Sequence, residues 1–241
     1  MISPYYTDEH VTLYCADARD VIDEIRADAL VTDPPYGIGL KAKIQRNAGR
    51  SGAHKVGVAS KLYADTRDDA EQIVDEIIPR AIGRCSRALI FPGTNMMFRY
   101  PEPDSIGAVL IPSGSGYSSW GFTVWQPILY YGACPYLADG LGNRPNGFVA
   151  QGAGAKVDHP CPKPLYWMRW AVARVSRPAE TILDPLAGSG TTLLAAKILG
   201  RRAIGVEIVE HYCEIAARRL AQGVLDLETD DEPDPQLALA L

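Results

Sequence analysis

The sequence predicts an α/β protein built on a doubly wound, mainly parallel sheet. Three observations carry that prediction. Short apolar segments that stop abruptly alternate with longer segments whose apolar residues recur at helical spacing. One such strand runs into Asp33-Pro34-Pro35-Tyr36-Gly37. Another runs into Asp184-Pro185-Leu186-Ala187-Gly188-Ser189-Gly190-Thr191-Thr192, and a helix, a strand and the acid Glu207 follow it.

In chain order, Val11–Cys15 reads as a short strand ending at Ala16-Asp17-Ala18. Arg19–Arg26 reads as a helix with Val21, Ile22 and Ile25 on one face. Ala29–Thr32 is a buried strand. Gly37–Ala64, rich in Gly, Ser and Lys without apolar periodicity, is expected to be a mobile loop. Asp68–Ile78 reads as a helix that Pro79 should end, and Ala88–Phe91 as a strand stopped by Pro92-Gly93. Ile106–Ile111 and Pro127–Tyr131 read as strands separated by a Gly/Ser/aromatic stretch, Pro112–Trp125, and Leu137–Asp158 as a second loop. Pro164–Val175 is a helix and Thr181–Leu183 a buried strand. The helix after the glycine turn runs through Leu199, with Gly200 as its stop, and Ala203–Val206 is the next strand.

At 241 residues the chain is long enough for one domain with a substantial core. We expect residues 1–222 to form it, with a basic loop at 38–64, a variable region at 101–158, and an acidic, disordered tail at 223–241. No apolar run approaches the length of a membrane span, and the N-terminus lacks the basic start and apolar centre of a signal peptide. A cytoplasmic protein is expected. Cys15, Cys85, Cys134, Cys161 and Cys213 are widely spaced and form no C-x-x-C, so neither a disulfide framework nor a zinc or other metal site is indicated.

The net charge of −5 is unevenly spread. After Arg219 there is no Lys or Arg, while Asp226, Glu228, Asp230, Asp231, Glu232 and Asp234 are all acidic; without them the balance is slightly positive. Pro34–Ala64 holds no acid and carries Lys41, Lys43, Arg46, Arg50, Lys55 and Lys61. A basic loop can be a solvated surface loop; beside a pocket for a base, contact with phosphates is the better reading.

Each Pro of the Asp33 turn fixes its own φ, lacks an N–H and drives its predecessor towards extended geometry. Asp33 is therefore expected at a strand end with its carboxylate aimed out of the sheet edge, beside unclaimed backbone carbonyls. Two acceptors close together suit an amine with two hydrogens, and Tyr36 offers a flat face for a heterocycle. An exocyclic –NH2 on a nucleobase fits all three features. The plainer alternative is a tight turn with a capping Asp and a packing Tyr. The second motif reads as a nucleotide-binding unit, with Gly188 and Gly190 admitting a ligand close to the backbone and Glu207 placed to grip a ribose. It lacks the Gly-Lys-Ser/Thr of a phosphate loop, which leans towards S-adenosylmethionine.

Together the two motifs resemble those of DNA amino-methyltransferases, which modify adenine N6 or cytosine N4. The Asp33 motif precedes the glycine turn, an order similar to the circularly permuted β-class. The resemblance implies a Rossmann-like methyltransferase fold in which Asp33 and the Pro34 carbonyl accept hydrogen bonds from the target amine, while Pro35 and Tyr36 complete the catalytic motif and Tyr36 stacks on the flipped base. It implies that Asp184, Gly188, Ser189, Gly190, Thr191 and Thr192 line the methionine side of the cofactor pocket, that Glu207 holds the ribose and that Asp17 bonds the adenine. His159-Pro160-Cys161-Pro162-Lys163-Pro164 resembles the family's His-Pro-x-x-Lys-Pro segment and puts Lys163 near the methionine carboxylate; a helix-start turn with solvated polar groups is the alternative. Leu186 departs from the family's usual Phe, and Pro101–Asp158 matches it poorly. DNA is the implied partner, with a homodimer and a cognate restriction endonuclease as further candidates.

In the implied reaction, acceptors that favour a tetrahedral nitrogen localise the amine lone pair for direct displacement at the sulfonium methyl. The Ala-Cys134-Pro sequence reverses the Pro-Cys of cytosine-C5 enzymes, and no such nucleophile is needed. Asp at position 33 resembles the adenine enzymes. Cytosine N4, RNA methylation and a silent nucleic-acid binder are the alternatives.

Overall fold

A computed structural model of the chain describes residues 2–39, 66–150 and 163–222. The basic residues Lys41, Lys43, Arg46, Arg50, Lys55 and Lys61, together with His159 and the acidic tail, lie outside the described residues. Among those described, eleven strands and seven α-helices occur: β1 Tyr6–Thr7, β2 Val11–Cys15, α1 Ala18–Val21, β3 Ala27–Thr32, α2 Arg67–Glu76, α3 Ile78–Ile82, β4 Cys85–Ile90, β5 Ser105–Leu110, β6 Gly116–Ser118, β7 Gly121–Thr123, β8 Trp125–Tyr131, α4 Pro135–Ala138, β9 Phe148–Val149, α5 Leu165–Val175, β10 Thr181–Asp184, α6 Thr191–Ile198, β11 Arg202–Glu207 and α7 Glu210–Ala221. No helix among them is long and apolar enough to cross a membrane.

Nine strands form one sheet in the order β1-β2-β11-β10-β3-β4-β8-β5-β9, and β6 and β7 make a separate hairpin. β2, β11, β10, β3 and β4 are mutually parallel, whereas β8 runs antiparallel to both β4 and β5. Successive strand residues face opposite sides, and both sides are buried. Ala29, Val31, Leu89 and Ile182 pack under α5, α6 and α7; Leu30, Ala88, Ile90 and Leu183 pack under α1, α2 and α3.

The sheet order fixes the place of the site. From β10 the chain crosses through α6 to β11, and from β3 it crosses through α2 and α3 to β4, so adjacent strands send their connections to opposite sides. That divergence opens a crevice beyond the carboxyl ends of β3 and β10, where doubly wound sheets hold their ligands.

Besides the short elements β1 and α4, which the sequence does not signal, the described elements differ from the sequence reading in five places. Arg19–Arg26 is not one helix: Asp17 caps a four-residue helix by accepting from the Arg19 N–H, and a 3₁₀ turn at Ile22–Glu24 follows. Pro79 does not end the helix before it but starts α3, where a missing N–H costs nothing. The stretch Pro112–Trp125 folds into the β6–β7 hairpin. Within the expected loop Leu137–Asp158, Phe148–Val149 adds a strand beside β5, because buried Phe148 packs against Trp167 and Trp170 from a distant part of the chain. Helix α7 follows Glu207 with no N-cap side chain to signal it, since Val209 stands at the cap position.

Candidate active site

β3 and β10 lie side by side with Leu30 opposite Leu183, so Thr32 and Asp184 meet at the sheet edge. The Thr32 hydroxyl donates to Asp184 Oδ1 at 2.8 Å, and the Leu186 N–H donates to the same oxygen at 3.2 Å. This bond joins the two sequence motifs directly. Asp184 is fully enclosed, and burial pushes its carboxyl up to about 6 against the lowering effect of hydrogen bonds from Thr192, Thr32 and Leu186.

The glycine turn depends on backbone geometry that a Cβ disfavours. Gly188 and Gly190 have φ of 51° and 78°, and a Cβ on Gly190 would lie 2.9 Å from that of Ala216 on α7. Arg219 on α7 braces the turn by donating to the Ser189 carbonyl at 2.6 Å and to the Thr191 hydroxyl at 3.2 Å. Across the turn, Glu207 Oε2 accepts from the Gly188 N–H and Oε1 from the Val209 N–H, both at 2.8 Å. Burial raises the Glu207 carboxyl despite these two donors. A carboxylate has more acceptor sites than these backbone donors fill, so it could still accept from a ligand hydroxyl.

The Asp33 turn is held together by its own side chains. Pro34 and Pro35 end β3, and the Tyr36 hydroxyl turns back to donate to Asp33 Oδ1 at 2.5 Å. Lys163 Nζ lies 2.9 Å from the same oxygen, donates to the Tyr36 hydroxyl and sits 4.8 Å from the Tyr36 ring centroid. Its side chain is buried, with the Phe91 and Trp167 rings also near the ammonium. Asp33 was expected to face unclaimed backbone carbonyls. Instead its carboxylate already has two partners, and the Thr32 carbonyl is taken by the Phe91 N–H at 3.1 Å.

Three residues that the sequence reading did not assign complete this end. Gly93, read only as a strand stop, makes room for the Tyr36 ring: a Cβ there would lie 2.7 Å from two ring carbons. The Tyr36 hydroxyl also reaches Gln126 Oε1 at 3.5 Å. Thr32 carries the bond to Asp184, and its one sequence signal was a hydroxyl at the end of an otherwise apolar strand. Cys134 follows the carboxyl end of β8, which runs antiparallel to β4, and so lies at the opposite edge of the sheet from Asp33.

A cavity of about 340 Å³ connects the two ends. Asp17, Asp33, Pro35, Lys163, Asp184, Gly188, Ser189, Thr191, Thr192 and Glu207 all line it. Asp17 stands at the rim in a bidentate pair with Arg19, at 2.6 Å for the closest contact, and that guanidinium is the main cause of its lowered carboxyl. The lining residues are therefore sorted along one pocket: acids around a glycine turn at one end, and Asp33, Pro35 and Lys163 at the other, with the Tyr36 hydroxyl bonded to Asp33 and Lys163. A nucleoside-sized ligand fits such a volume.

Residues 119–218 match the model of the N6/N4 family described as DNA methylase. YubD of Escherichia coli (strain K12) is 28% identical over 207 residues, covering 80% of this chain and 82% of that protein. The type II methyltransferase M2.DpnII of Streptococcus pneumoniae is 44% identical over 62 residues, which cover 26% of this chain and 23% of that enzyme. The crystal structure of the M1.HpyAVI–SAM complex superposes with a TM-score of 0.60 at 18% identity, covering 88% of this chain and 99% of that one, a likeness of fold.

Proposed function

We propose that this member of the N6/N4 DNA methylase family transfers a methyl group from S-adenosylmethionine to the N6 amine of adenine in DNA. The observation that supports the reading is the Thr32–Asp184 bond, which joins the Asp33 turn and the glycine turn at two ends of one cavity. M1.HpyAVI, a structural neighbour, is described in complex with SAM.

The residues present fit that cofactor. Glu207 keeps acceptor capacity beyond its backbone donors for a ribose hydroxyl, and the positive-φ glycines let a ligand approach the turn closely. Asp184, Gly188, Ser189, Gly190, Thr191 and Thr192 would take the methionine side, and Asp17 the adenine amine. Bound there, S-adenosylmethionine supplies an electrophilic methyl on a sulfonium centre.

The chain's own part is to hold the acceptor amine. The amine lone pair of adenine is delocalised into the ring; Asp33 and the Pro34 carbonyl accept hydrogen bonds from its two N–H groups and favour a tetrahedral nitrogen. Tyr36 stacks on the base, its ring backed by Gly93. Lys163, which contacts Asp33 and Tyr36 and lines the same cavity as the glycine turn, holds the carboxylate oriented until the target amine takes over the acceptor position, and it would also face the methionine carboxylate. The motif order supports the permuted β-class, with phosphates met by Lys41, Lys43, Arg46, Arg50, Lys55 and Lys61 in the cytoplasm. The likeness to a type II methyltransferase supports a cognate restriction endonuclease as a partner. Light scattering of the purified chain tests the homodimer.

The deciding experiment is to incubate the full chain with unmethylated genomic DNA and S-adenosylmethionine, digest to nucleosides and analyse by mass spectrometry. N6-methyladenine is expected. N4-methylcytosine would move the assignment to the other base. The absence of both, with cofactor binding shown separately and RNA methylated in its place, would overturn it.

A further inference from the structure

We propose that the β6–β7 hairpin is a prong that stacks on the bases of duplex DNA beside the target nucleotide; this rests on the function proposed above. Among the described residues the most exposed large apolar side chains are Trp120 (97%), Phe98 (92%), Tyr117 (83%) and Phe122 (69%). All four are aromatic. Phe98 follows β4, and the other three lie between β5 and β8.

The sheet register puts these segments at the rim of the active site. Ile90 pairs with Leu129 in the antiparallel β4–β8 ladder, and carrying that register past β4 brings Gly93 opposite Gln126. Gly93 backs the Tyr36 ring, and Gln126 touches the Tyr36 hydroxyl. Leu110 pairs with Trp125, so β5 also ends at this edge. The hairpin is therefore the loop between two strands that terminate beside Tyr36. Trp120 stands six residues before Gln126, at most about 20 Å along an extended chain.

Its chemistry points to bases. Tyr117 and Phe122 face each other across the hairpin with ring centroids 5.0 Å apart, a rigid pair below a tip of Ser118, Ser119, Trp120 and Gly121. From Ser105 to Ala138 the sequence holds no Asp, Glu, Lys, Arg or His. Such a segment cannot grip phosphates through charge. It offers flat rings, which every base matches with a flat face. An enzyme that swings a base out of a duplex leaves unstacked neighbours and an open gap, and apolar wedges are the recurrent means of meeting that cost. Continuity with Tyr36 favours this occupant over a second copy of the chain.

The test compares wild type, Trp120→Ala and Trp120→Phe as full chains. The probe is a duplex carrying the sequence that wild type methylates, with 2-aminopurine at the target base. Trp120→Ala should weaken binding about 5- to 150-fold, the loss of one stacked base at about 1–3 kcal/mol. It should also reduce the 2-aminopurine fluorescence rise and leave the slope of log K against log[salt] unchanged, because no phosphate contact is lost. Trp120→Phe should recover most of the binding. Wild-type affinity and flipping in Trp120→Ala would overturn the proposal, as would a reduced salt slope. A fall in mass by light scattering in that variant would overturn it in favour of an interface between copies. If wild type neither binds nor methylates DNA, the functional reading fails with it, an outcome distinct from a hairpin variant that behaves like an active wild type.

Discussion

The two ends of the cavity solve different problems. At the glycine turn, polar groups are satisfied by fixed neighbours: Glu207 by two backbone N–H groups, Asp184 by Thr32 and Leu186, and Ser189 by Arg219. At the Asp33 turn, the side chains bond to one another, and Asp33, Tyr36 and Lys163 form a closed triangle. The first arrangement is built before its ligand arrives and needs no rearrangement to receive it. The second holds its acceptors in place with side-chain donors that any new donor would have to displace. A small ligand of constant shape suits the former; a base that comes and goes with a polymer suits the latter.

The contrast breaks most sharply at Asp33. Asp33→Ala is expected to lower methyl transfer at least about 100- to 1,000-fold, the scale of losing one preorganised transition-state partner. Cofactor affinity measured by calorimetry should stay within a few-fold of wild type. Unchanged transfer, read as labelled methyl incorporated into DNA, would remove Asp33 from the chemistry.

Two glycine substitutions sharpen it in opposite directions. Gly190→Ala places a Cβ at a φ of 78° and 2.9 Å from Ala216, strain of about 1–3 kcal/mol. Thermal stability and cofactor affinity should both fall, the latter about tenfold or more. Gly93→Ala pushes a Cβ to within 2.7 Å of the Tyr36 ring and should instead depress kcat about tenfold with cofactor affinity retained. Equal effects of both variants on cofactor binding would show that the two ends do not act separately. Between them stands Glu207→Gln. An amide can accept only through one oxygen, so one of the Gly188 and Val209 N–H groups faces an NH₂, and cofactor affinity should drop about fivefold or more.

The smallest effect concerns pH. Because the Asp184 carboxyl is raised from 3.8 to about 6 in the folded protein, its contribution to stability is fully present below pH 3.8 and is lost as pH rises through about 6. Asp184→Asn removes the buried charge while its amide oxygen still accepts from Thr32, and the Thr192 hydroxyl can turn to accept from its NH₂. The variant should melt a few degrees above wild type at pH 7, with the gap narrowing towards pH 5. Calorimetry at the two pH values checks this; a gap that widens on acidification would contradict the buried-charge account.

Much of the site was legible because its signals are local. Pro34 and Pro35 stop a strand wherever that strand lies, and a turn with Gly188 and Gly190 at positive φ needs those residues whatever surrounds it. The acid at the end of β11 could be placed by its spacing from the turn. The misread elements share the opposite property. Phe148–Val149 is a strand only because Trp167 and Trp170 are there to cover Phe148, and Pro79 starts a helix because the chain turns at Ile77. The role of Gly93 rests on a ring that sits 57 positions earlier in the chain.

The motifs, their order, the strands that carry them and the alternating faces of those strands can be read from the residues alone, since each follows from the φ, the donors and the apolar spacing of neighbours. Folding in three dimensions was needed to show that β3 lies beside β10, joining Thr32 to Asp184 across 152 positions, that Lys163 meets Asp33 and Tyr36 within the cavity it shares with the glycine turn, and that the aromatic hairpin joins two strands reaching the edge where Tyr36 sits. The reason is physical. Which strands pair is settled by burying both faces of one sheet at once, and the entropy of closing a long connection grows so slowly with its length that separation along the chain says little about what it brings together.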